Sequence, residues 1–180
     1  MYVQDSGYAE LIDVEKDDFQ IMIRFKDRVL FQSGMAIIGA EGRDAILFIG
    51  AAIDLVADQV DIIKVMGHTD SIPQNSFLYP NNRVLGSARA NAVVDILEES
   101  GLTGDDPFIQ SISMADKDPI APNDTPEGRA LNRRVEIYIT RKEVVDEETG
   151  PEVIIDDIAQ GGETSDDIQA GEAESEPDAG

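Results

Sequence analysis

Two charged side chains, Asp70 and Arg89, are placed so that they could hold an amino-acid head group. Asp70 lies just past the end of a predicted apolar strand at residues 61–66, and Arg89 lies in the first turns of the next predicted helix. A carboxylate accepts hydrogen bonds from an ammonium group, and a guanidinium binds a carboxylate through a planar fork of donors. On chemistry alone, a salt bridge within the protein, or a turn-forming role for Asp70, is the simpler explanation.

Other polar residues flank this pair. Thr69 offers a hydroxyl beside Asp70, or is only a strand-end residue. Asn82 precedes the second predicted helix, where its side chain could bond a ligand or cap the helix N-terminus. Arg133 and Arg134 begin the last predicted strand. Each of these residues is a candidate for the site, and the sequence leaves the structural alternatives open.

Residue types that catalysis and metal binding require are scarce. His68 is the only histidine, and the chain has no cysteine. One imidazole without thiolates or a second histidine does not make a metal site, and no serine or cysteine nucleophile signature accompanies it. No glycine-rich phosphate-binding motif occurs either. We therefore predict a packed strand-end histidine, no metal or cofactor, and a protein that is not an enzyme.

The elements that position these residues follow from hydrophobic periodicity. Alternating apolar residues predict strands, and apolar residues three and four apart predict helices. Strands are predicted over residues 9–15, 19–25, 61–66, 108–114 and 133–140, and helices over residues 41–57 and 83–100. The order β-β-α-β-α-β-β predicts an α+β architecture of two helices packed on one face of a mixed sheet.

The sequence also predicts details of the second helix and of residues 115–131. The apolar face of the second helix is expected to contain both Val84 and Leu85, and Gly101 should end this helix at its C′ position. Residues 115–131 contain three prolines and are predicted as a long connection without secondary structure.

Charge is distributed unevenly. The net charge is −23; residues 1–140 carry 12 basic and 23 acidic side chains, whereas residues 141–180 carry 2 and 14. The negative electrostatic potential that this net charge creates disfavours nucleic acid and anionic membrane as partners. The acidic, glycine-rich C-terminal segment cannot bury enough apolar surface to fold. We predict an N-terminal segment over residues 1–8, one domain over residues 9–140, and an acidic disordered tail over residues 141–180.

Four ordered blocks resemble OmpA-like peptidoglycan-binding domains, most closely the version in MotB-type flagellar stator proteins. They are L-F-Q-S-G-M-A at residues 30–36, G-H-T-D-S-I-P at 67–73, L-G-S-A-R-A-N-A-V-V at 85–94, and N-D-T-P-E-G-R-A-L-N-R-R-V-E-I at 123–137. The resemblance covers about residues 9–140. It departs from the usual stator pattern where Gly86 replaces a serine and where Val84 or Arg83 replaces a tryptophan, so the wall-facing surface can differ.

The resemblance implies non-covalent peptidoglycan binding. Asp70 would take the ammonium of the diaminopimelate in a wall peptide, and Arg89 would take its carboxylate. One of the two arginines at residues 133 and 134 would support the site carboxylate. The peptidoglycan-binding residues that the resemblance implies are Asp70, Arg89, Asn82 and Thr69.

The resemblance also implies a cellular context. MotB-like proteins act in cell motility and chemotaxis as dimers that pair with an ion-channel partner subunit and pin it to the wall. No run of this chain reaches the roughly 18 apolar residues of a membrane helix, and no signal peptide follows Met1. We therefore expect a periplasmic fragment whose inner-membrane helix lies upstream in the complete protein. The alternatives are an OmpA-like anchor of an outer-membrane protein or lipoprotein, and, from another class, a wall-hydrolysing enzyme.

Overall fold

Within residues 12–102 and 107–142, which the computed structural model describes, the chain forms a five-stranded sheet and four α-helices. The strands are β1 Ile12–Lys16, β2 Gln20–Lys26, β3 Val60–His68, β4 Phe108–Ala115 and β5 Arg134–Arg141. The helices are α1 Asp27–Leu30, α2 Ala40–Asp54, α3 Asn82–Glu99 and α4 Pro126–Asn132, with a short 3-10 helix at Ala57–Gln59. The predicted α+β class is confirmed.

The sheet is mixed, with the strand order β1-β2-β5-β3-β4. β1 and β2 form an antiparallel hairpin, in whose turn Asp17 accepts hydrogen bonds from the backbone N–H groups of Phe19 and Gln20, both at 2.8 Å. β5 inserts between β2 and β3 and is antiparallel to both, while β3 and β4 are parallel. Consequently Arg134, at the start of β5, pairs with the last residues of both β2 and β3.

The hydrophobic core lies between the sheet and helices α2 and α3. Ile23 and Val65 flank Ile137 in register across the central strands, and all three are buried. The buried face of α3 runs through Leu85 and includes Arg89. The prediction that Val84 shares this face was wrong, because Val84 lies one position away from it and is 37% exposed.

Two short helices were not predicted, α1 at Asp27–Leu30 and α4 at Pro126–Asn132. α4 lies within the segment expected to be a connection, and its N-cap is Thr125, whose Oγ1 accepts a hydrogen bond from the Gly128 N–H at 3.1 Å. Pro126 occupies its first position, where a missing N–H costs nothing. The helix has only 7 residues, which is too few to show a helical hydrophobic period, and prolines surround it. Gly101, with a φ of 119°, lies just past α3 as expected.

Two glycines allow β3 and α3 to approach closely. A Cβ atom on Gly67 would lie 2.1 Å from the Gly86 carbonyl oxygen, and one on Gly86 would lie 2.5 Å from Ser113 Oγ. The helical Gly86, where stator-type sequences usually carry serine, therefore packs directly against the strand that leads to Asp70. A side chain at position 67 or 86 would push the strand and the helix apart.

The limits of the predicted domain remain predictions. Residues 9–11 of the first predicted strand and residues 143–180 of the predicted tail fall outside the described residues. Among residues 12–102 and 107–142, no helix combines the length and the apolarity needed to cross a membrane.

Candidate functional site

Four charged side chains gather at the edge of the sheet where β2 and β3 end and β5 begins. Asp27 directly follows β2, Asp70 closely follows β3, and Arg133 immediately precedes β5. Arg89 reaches the same edge from α3. The insertion of β5 between β2 and β3 brings these distant parts of the sequence together. We call Asp27, Asp70, Arg89 and Arg133 the strand-end cluster.

Carboxylates and guanidiniums alternate in the strand-end cluster. Arg133 Nη1 donates to Asp70 Oδ2 at 2.7 Å, and Arg89 Nη1 lies 2.7 Å from Asp27 Oδ1. Arg133 Nε lies 3.7 Å from Asp27 Oδ2 and so connects the two pairs. The four formal charges cancel. The outer pair, Asp70 and Arg133, therefore offers both a carboxylate and a guanidinium to a ligand that carries the opposite charges.

Asp70 is held by its neighbours at three points. Its Oδ1 accepts a hydrogen bond from the Ile72 N–H at 3.0 Å. Its backbone oxygen accepts one from Thr69 Oγ1 at 3.0 Å and one from Asn82 Nδ2 at 3.1 Å. These contacts fix the carboxylate and leave Oδ2 to the charged partner. Thr69 and Asn82 thus lie beside Asp70 and both contact its backbone.

Asn82 does not cap α3. Its Oδ1 accepts a hydrogen bond from the Gln74 N–H at 2.7 Å. Because its Nδ2 also donates to the Asp70 carbonyl oxygen, the side chain links Asp70 to Gln74 in the loop that follows. The cap is Asn81, whose Oδ1 accepts from the Val84 N–H at 3.0 Å. The capping alternative for Asn82 was therefore wrong by one position, because the helix already begins at Asn82.

Arg89 is buried and its closest acidic partner is Asp27. The salt bridge within the protein that chemistry alone suggested does form, but with Asp27 rather than Asp70, and the Arg89 side chain is only 1% exposed. Its Nε donates to the Met35 carbonyl oxygen at 3.1 Å, and its guanidinium lies 5.0 Å above the Phe31 ring. Burial lowers the pKa of Arg89 below its usual value, while the Asp27 carboxylate acts in the opposite direction.

Asp27 is a member of the cluster that sequence analysis missed. In F-K-D-R-V it resembles an ordinary solvated charge between two basic residues, and no local pattern links it to Arg89. The structure buries it: burial raises the pKa of Asp27, although Arg89 and Arg133 favour its ionised form. The turn from β2 into α1 places Asp27 next to Arg89 and Arg133.

The segment at residues 123–134 is hydrogen-bonded to the loop that follows Asp70. Asn123 Oδ1 accepts hydrogen bonds from the Ser71 N–H at 3.1 Å and from Asn132 Nδ2 at 3.0 Å. Arg129 Nη1 donates to the Asn123 carbonyl oxygen at 2.8 Å. The choice between the two adjacent arginines is also resolved geometrically, since Arg133 contacts Asp70 and Arg134 points away.

Arg134 belongs to a second charged cluster, on the sheet face opposite Val135. Arg24 and Arg134 both donate through Nε to Glu136 Oε1, at 2.9 and 2.8 Å. His68 is buried at the end of β3, as predicted, with Nε2 at 3.3 Å from Glu136 Oε2. Neither ring nitrogen has hydrogen-bond geometry to a partner among the described residues.

Three side chains of this second cluster lie close enough together to bind one metal ion. Single ligand atoms of His68, Asp118 and Glu136 lie within 4.8 Å of one another. Arg24 and Arg134, however, occupy Glu136 Oε1, and Arg134 Nη2 lies 3.3 Å from Asp118 Oδ2. Burial alone would raise the pKa of Glu136, but His68, Arg134 and Arg24 outweigh it and hold that pKa well below its usual range. Two guanidiniums repel a cation, so we assign this cluster as an ion-pair network.

Two features define the class of this domain. β5 is inserted beside β3 in a mixed sheet, and a charged cluster lies at the strand ends. The family model described as OmpA family matches residues 30–133. The chain therefore belongs to the OmpA family.

Solved structures share the fold. The cell wall anchor of the T6SS from Pseudomonas aeruginosa has a TM-score of 0.68 and 31% identity, over 78% of this chain and 95% of that one. The periplasmic domain of Helicobacter pylori MotB (residues 78–256) has a TM-score of 0.66 and 26% identity, over 73% and 83%. These similarities confirm the resemblance to MotB-type domains.

Curated relatives show the same likeness. Motility protein B of Bacillus subtilis (strain 168) is 29% identical over 138 residues, which is 77% of this chain and 52% of that protein. Peptidoglycan-binding protein ArfA of Mycobacterium tuberculosis is 39% identical over 77 residues, 43% of this chain and 22% of that protein. The chain spans about half the length of the curated relatives that it matches over most of its own length.

Proposed function

We propose that this domain binds peptidoglycan non-covalently through the strand-end cluster. The observation that carries the proposal is the Asp70–Arg133 ion pair, in which the Arg133 side chain is 37% exposed and the Asp70 side chain 11%; it lies beside the Asp27–Arg89 pair, whose side chains are 10% and 1% exposed. A diaminopimelate residue with one free end presents an ammonium and a carboxylate, the two groups that this pair can bind. The likeness to a peptidoglycan-binding protein and to a cell wall anchor supports the same ligand.

The arrangement favours binding over hydrolysis. A wall-hydrolysing enzyme needs a nucleophile with its base, a metal-bound water, or two carboxylates free to act as acid and base. Within the described residues, Asp70 and Asp27 are each engaged by a guanidinium, and Glu136 is held by two. We therefore propose an anchoring role without catalysis.

We further propose that the complete protein is a MotB-like stator subunit. It would lie in the inner membrane with this domain in the periplasm, form a homodimer, and hold an ion-channel partner subunit to the wall. The likeness to motility protein B and to a MotB periplasmic domain supports this role. The competing role is an anchor in an outer-membrane protein, which likeness to outer membrane porin F and outer-membrane lipoprotein YfiB supports. Fractionation of the full-length protein between inner and outer membranes separates the two.

Co-sedimentation with purified diaminopimelate-containing peptidoglycan tests the proposed ligand. We expect the domain to pellet with intact wall, and to remain in solution with wall whose peptides an amidase has removed. Equal pelleting with both polymers would show that the glycan, rather than the peptide, is the ligand. Remaining in solution with intact wall would contradict the proposal altogether.

A further inference from the structure

The side chain of Asn132 makes four hydrogen bonds to the connection between β4 and α4. Its Oδ1 accepts from the Ile120 and Ala121 N–H groups, at 2.8 and 2.9 Å. Its Nδ2 donates to the Ala121 carbonyl oxygen at 2.8 Å and to Asn123 Oδ1 at 3.0 Å. These contacts use every donor and acceptor position of the amide. Because Asn132 is fully buried, it fixes residues 120–123 against the end of α4.

The residues from Asp118 to Asn123, which we call the proline segment, are held at their other end by the second charged cluster. Arg134 Nη1 donates to the Asp118 carbonyl oxygen at 3.1 Å and to the Asn132 carbonyl oxygen at 3.3 Å. Glu136 sets the orientation of Arg134, because its Oε1 accepts from Arg134 Nε at 2.8 Å. The guanidinium of Arg134 therefore joins the second charged cluster to the proline segment.

The proline segment ends beside the loop that follows Asp70. Asn123 Oδ1 accepts a hydrogen bond from the Ser71 N–H at 3.1 Å, and Ser71 directly follows Asp70. Pro119 and Pro122 fix the φ angle at two positions within the segment, which leaves it little freedom to absorb a displacement at its far end. A change in how the second charged cluster holds this segment is therefore passed on to the loop.

We propose that the second charged cluster positions the loop after Asp70 for wall binding, with Arg134 as the positioning residue and the proline segment as the connection. This inference rests on the proposed function. Arg134 is only 1% exposed, so it acts on binding through the protein and does not contact the ligand. While Arg134 holds Asp118 in place, the proline segment keeps its hydrogen bond to Ser71 and the loop presents Asp70 in one arrangement.

A double-variant cycle tests whether the proline segment carries the effect. Arg134→Lys keeps the charge beside Glu136 but loses the planar fork that reaches the Asp118 carbonyl oxygen. Asn123→Ala removes the acceptor of the Ser71 N–H. We expect each single variant to bind purified peptidoglycan about 5-fold more weakly than the wild type. Because both changes break the same connection, the double variant should also be about 5-fold weaker, whereas independent effects would multiply to about 25-fold.

Hydrogen exchange of the Ser71 amide, followed by NMR without ligand, measures the connection directly. It should be faster in Arg134→Lys and in Asn123→Ala than in the wild type. A purely structural role of Arg134 would act through global unfolding, and would speed exchange of the Ile137 amide in the central strand without changing Ser71. The control Arg141→Lys, at an exposed position at the far end of β5, should match the wild type in binding and in Ser71 exchange.

A second variant applies if Arg134→Lys does not fold by circular dichroism. Asp118→Ala removes the contact of 3.3 Å between Asp118 Oδ2 and Arg134 at a position that is 58% exposed. Its matched control is Asp116→Ala, because Asp116 pairs with Lys117 instead. We expect faster Ser71 exchange and weaker wall binding in Asp118→Ala than in Asp116→Ala. Equal values for the two variants would overturn the inference.

The outcomes separate this inference from the proposed function. If the wild type binds peptidoglycan and a folded Arg134→Lys domain binds equally well, the site stands and the positioning role of Arg134 is wrong. A double variant that is about 25-fold weaker contradicts the inference in the same way, since the two residues then act independently. If the wild type does not bind peptidoglycan, the proposed function fails and the inference fails with it.

Discussion

The Asp27 carboxylate lies 2.7 Å from the Arg89 guanidinium, and the two side chains form the buried half of the strand-end cluster. The contact joins the end of β2 to the interior face of α3, so it stabilises the fold beneath the site. It also explains how an arginine can lie in the apolar face of a helix: the carboxylate balances its charge, and Met35 accepts one of its donors.

Removing Asp27 alone should strongly destabilise the domain. In Asp27→Ala the buried Arg89 loses its counter-charge, and we expect the free energy of unfolding to fall by about 3 kcal/mol. Urea denaturation followed by circular dichroism measures this. The double variant Asp27→Ala/Arg89→Met removes both charges and should be more stable than Asp27→Ala. If the double variant is the less stable of the two, Arg89 does not depend on its pairing with Asp27.

Glu136 should make stability depend on pH at the acid end. Its pKa is held well below its usual range in the folded protein, so its contribution is present above the unfolded value of about 4.3 and is lost as the pH falls further. We expect Glu136→Gln to be less stable than the wild type by about 2 kcal/mol at pH 7. The difference should shrink when unfolding is measured below about pH 4. A difference that stays constant with pH would contradict the predicted role of ionised Glu136.

The approach of β3 to α3 should make position 67 intolerant of any side chain. In Gly67→Ala the new methyl group would lie 2.1 Å from the Gly86 oxygen, and we expect a loss of about 1–3 kcal/mol in stability. Gly39→Ala is the matched control, because no atom lies within 4 Å of its Cβ position and its φ is −74°. Equal melting temperatures for the two variants would show that the strand and the helix separate easily.

The neighbouring asparagines, Asn81 and Asn82, should separate stability from binding. Asn81→Ala removes the α3 cap and should cost about 1 kcal/mol of stability with little effect on peptidoglycan binding. Asn82→Ala releases the Asp70 backbone and Gln74, and should weaken binding more than Asn81→Ala does. Thermal melts and co-sedimentation on the same samples give both quantities. The reverse order of the two binding effects would show that Asn82 does not hold the site.

Much of this fold could be predicted because its elements repeat simple patterns. The alternation of Val135, Ile137 and Ile139 identified β5, and the apolar spacing identified α2 and α3. The family resemblance pointed to Asp70, to Arg89 and to one of the two arginines at residues 133 and 134. What local patterns could not provide was the position of β5 between β2 and β3, which is set by packing of the whole sheet.

That insertion is also why Asp27, one of the four residues of the cluster, was missed. Asp27 meets Arg89, and Asp70 meets Arg133, across long stretches of sequence that only the folded sheet brings together. Each residue looks like solvated charge in its own segment. The burial of Arg89 was equally invisible, because a charged residue on a helix is normally expected at the surface.

The most direct test of the central claim is a binding isotherm of the domain on purified peptidoglycan for the wild type, Asp70→Ala and Asp95→Ala. Asp95 is an exposed residue of α3, so its variant makes the same charge change away from the site. We predict that Asp70→Ala lowers the affinity at least about 10-fold while keeping the wild-type circular dichroism spectrum, and that Asp95→Ala binds like the wild type. Wild-type affinity in a folded Asp70→Ala domain would contradict the account.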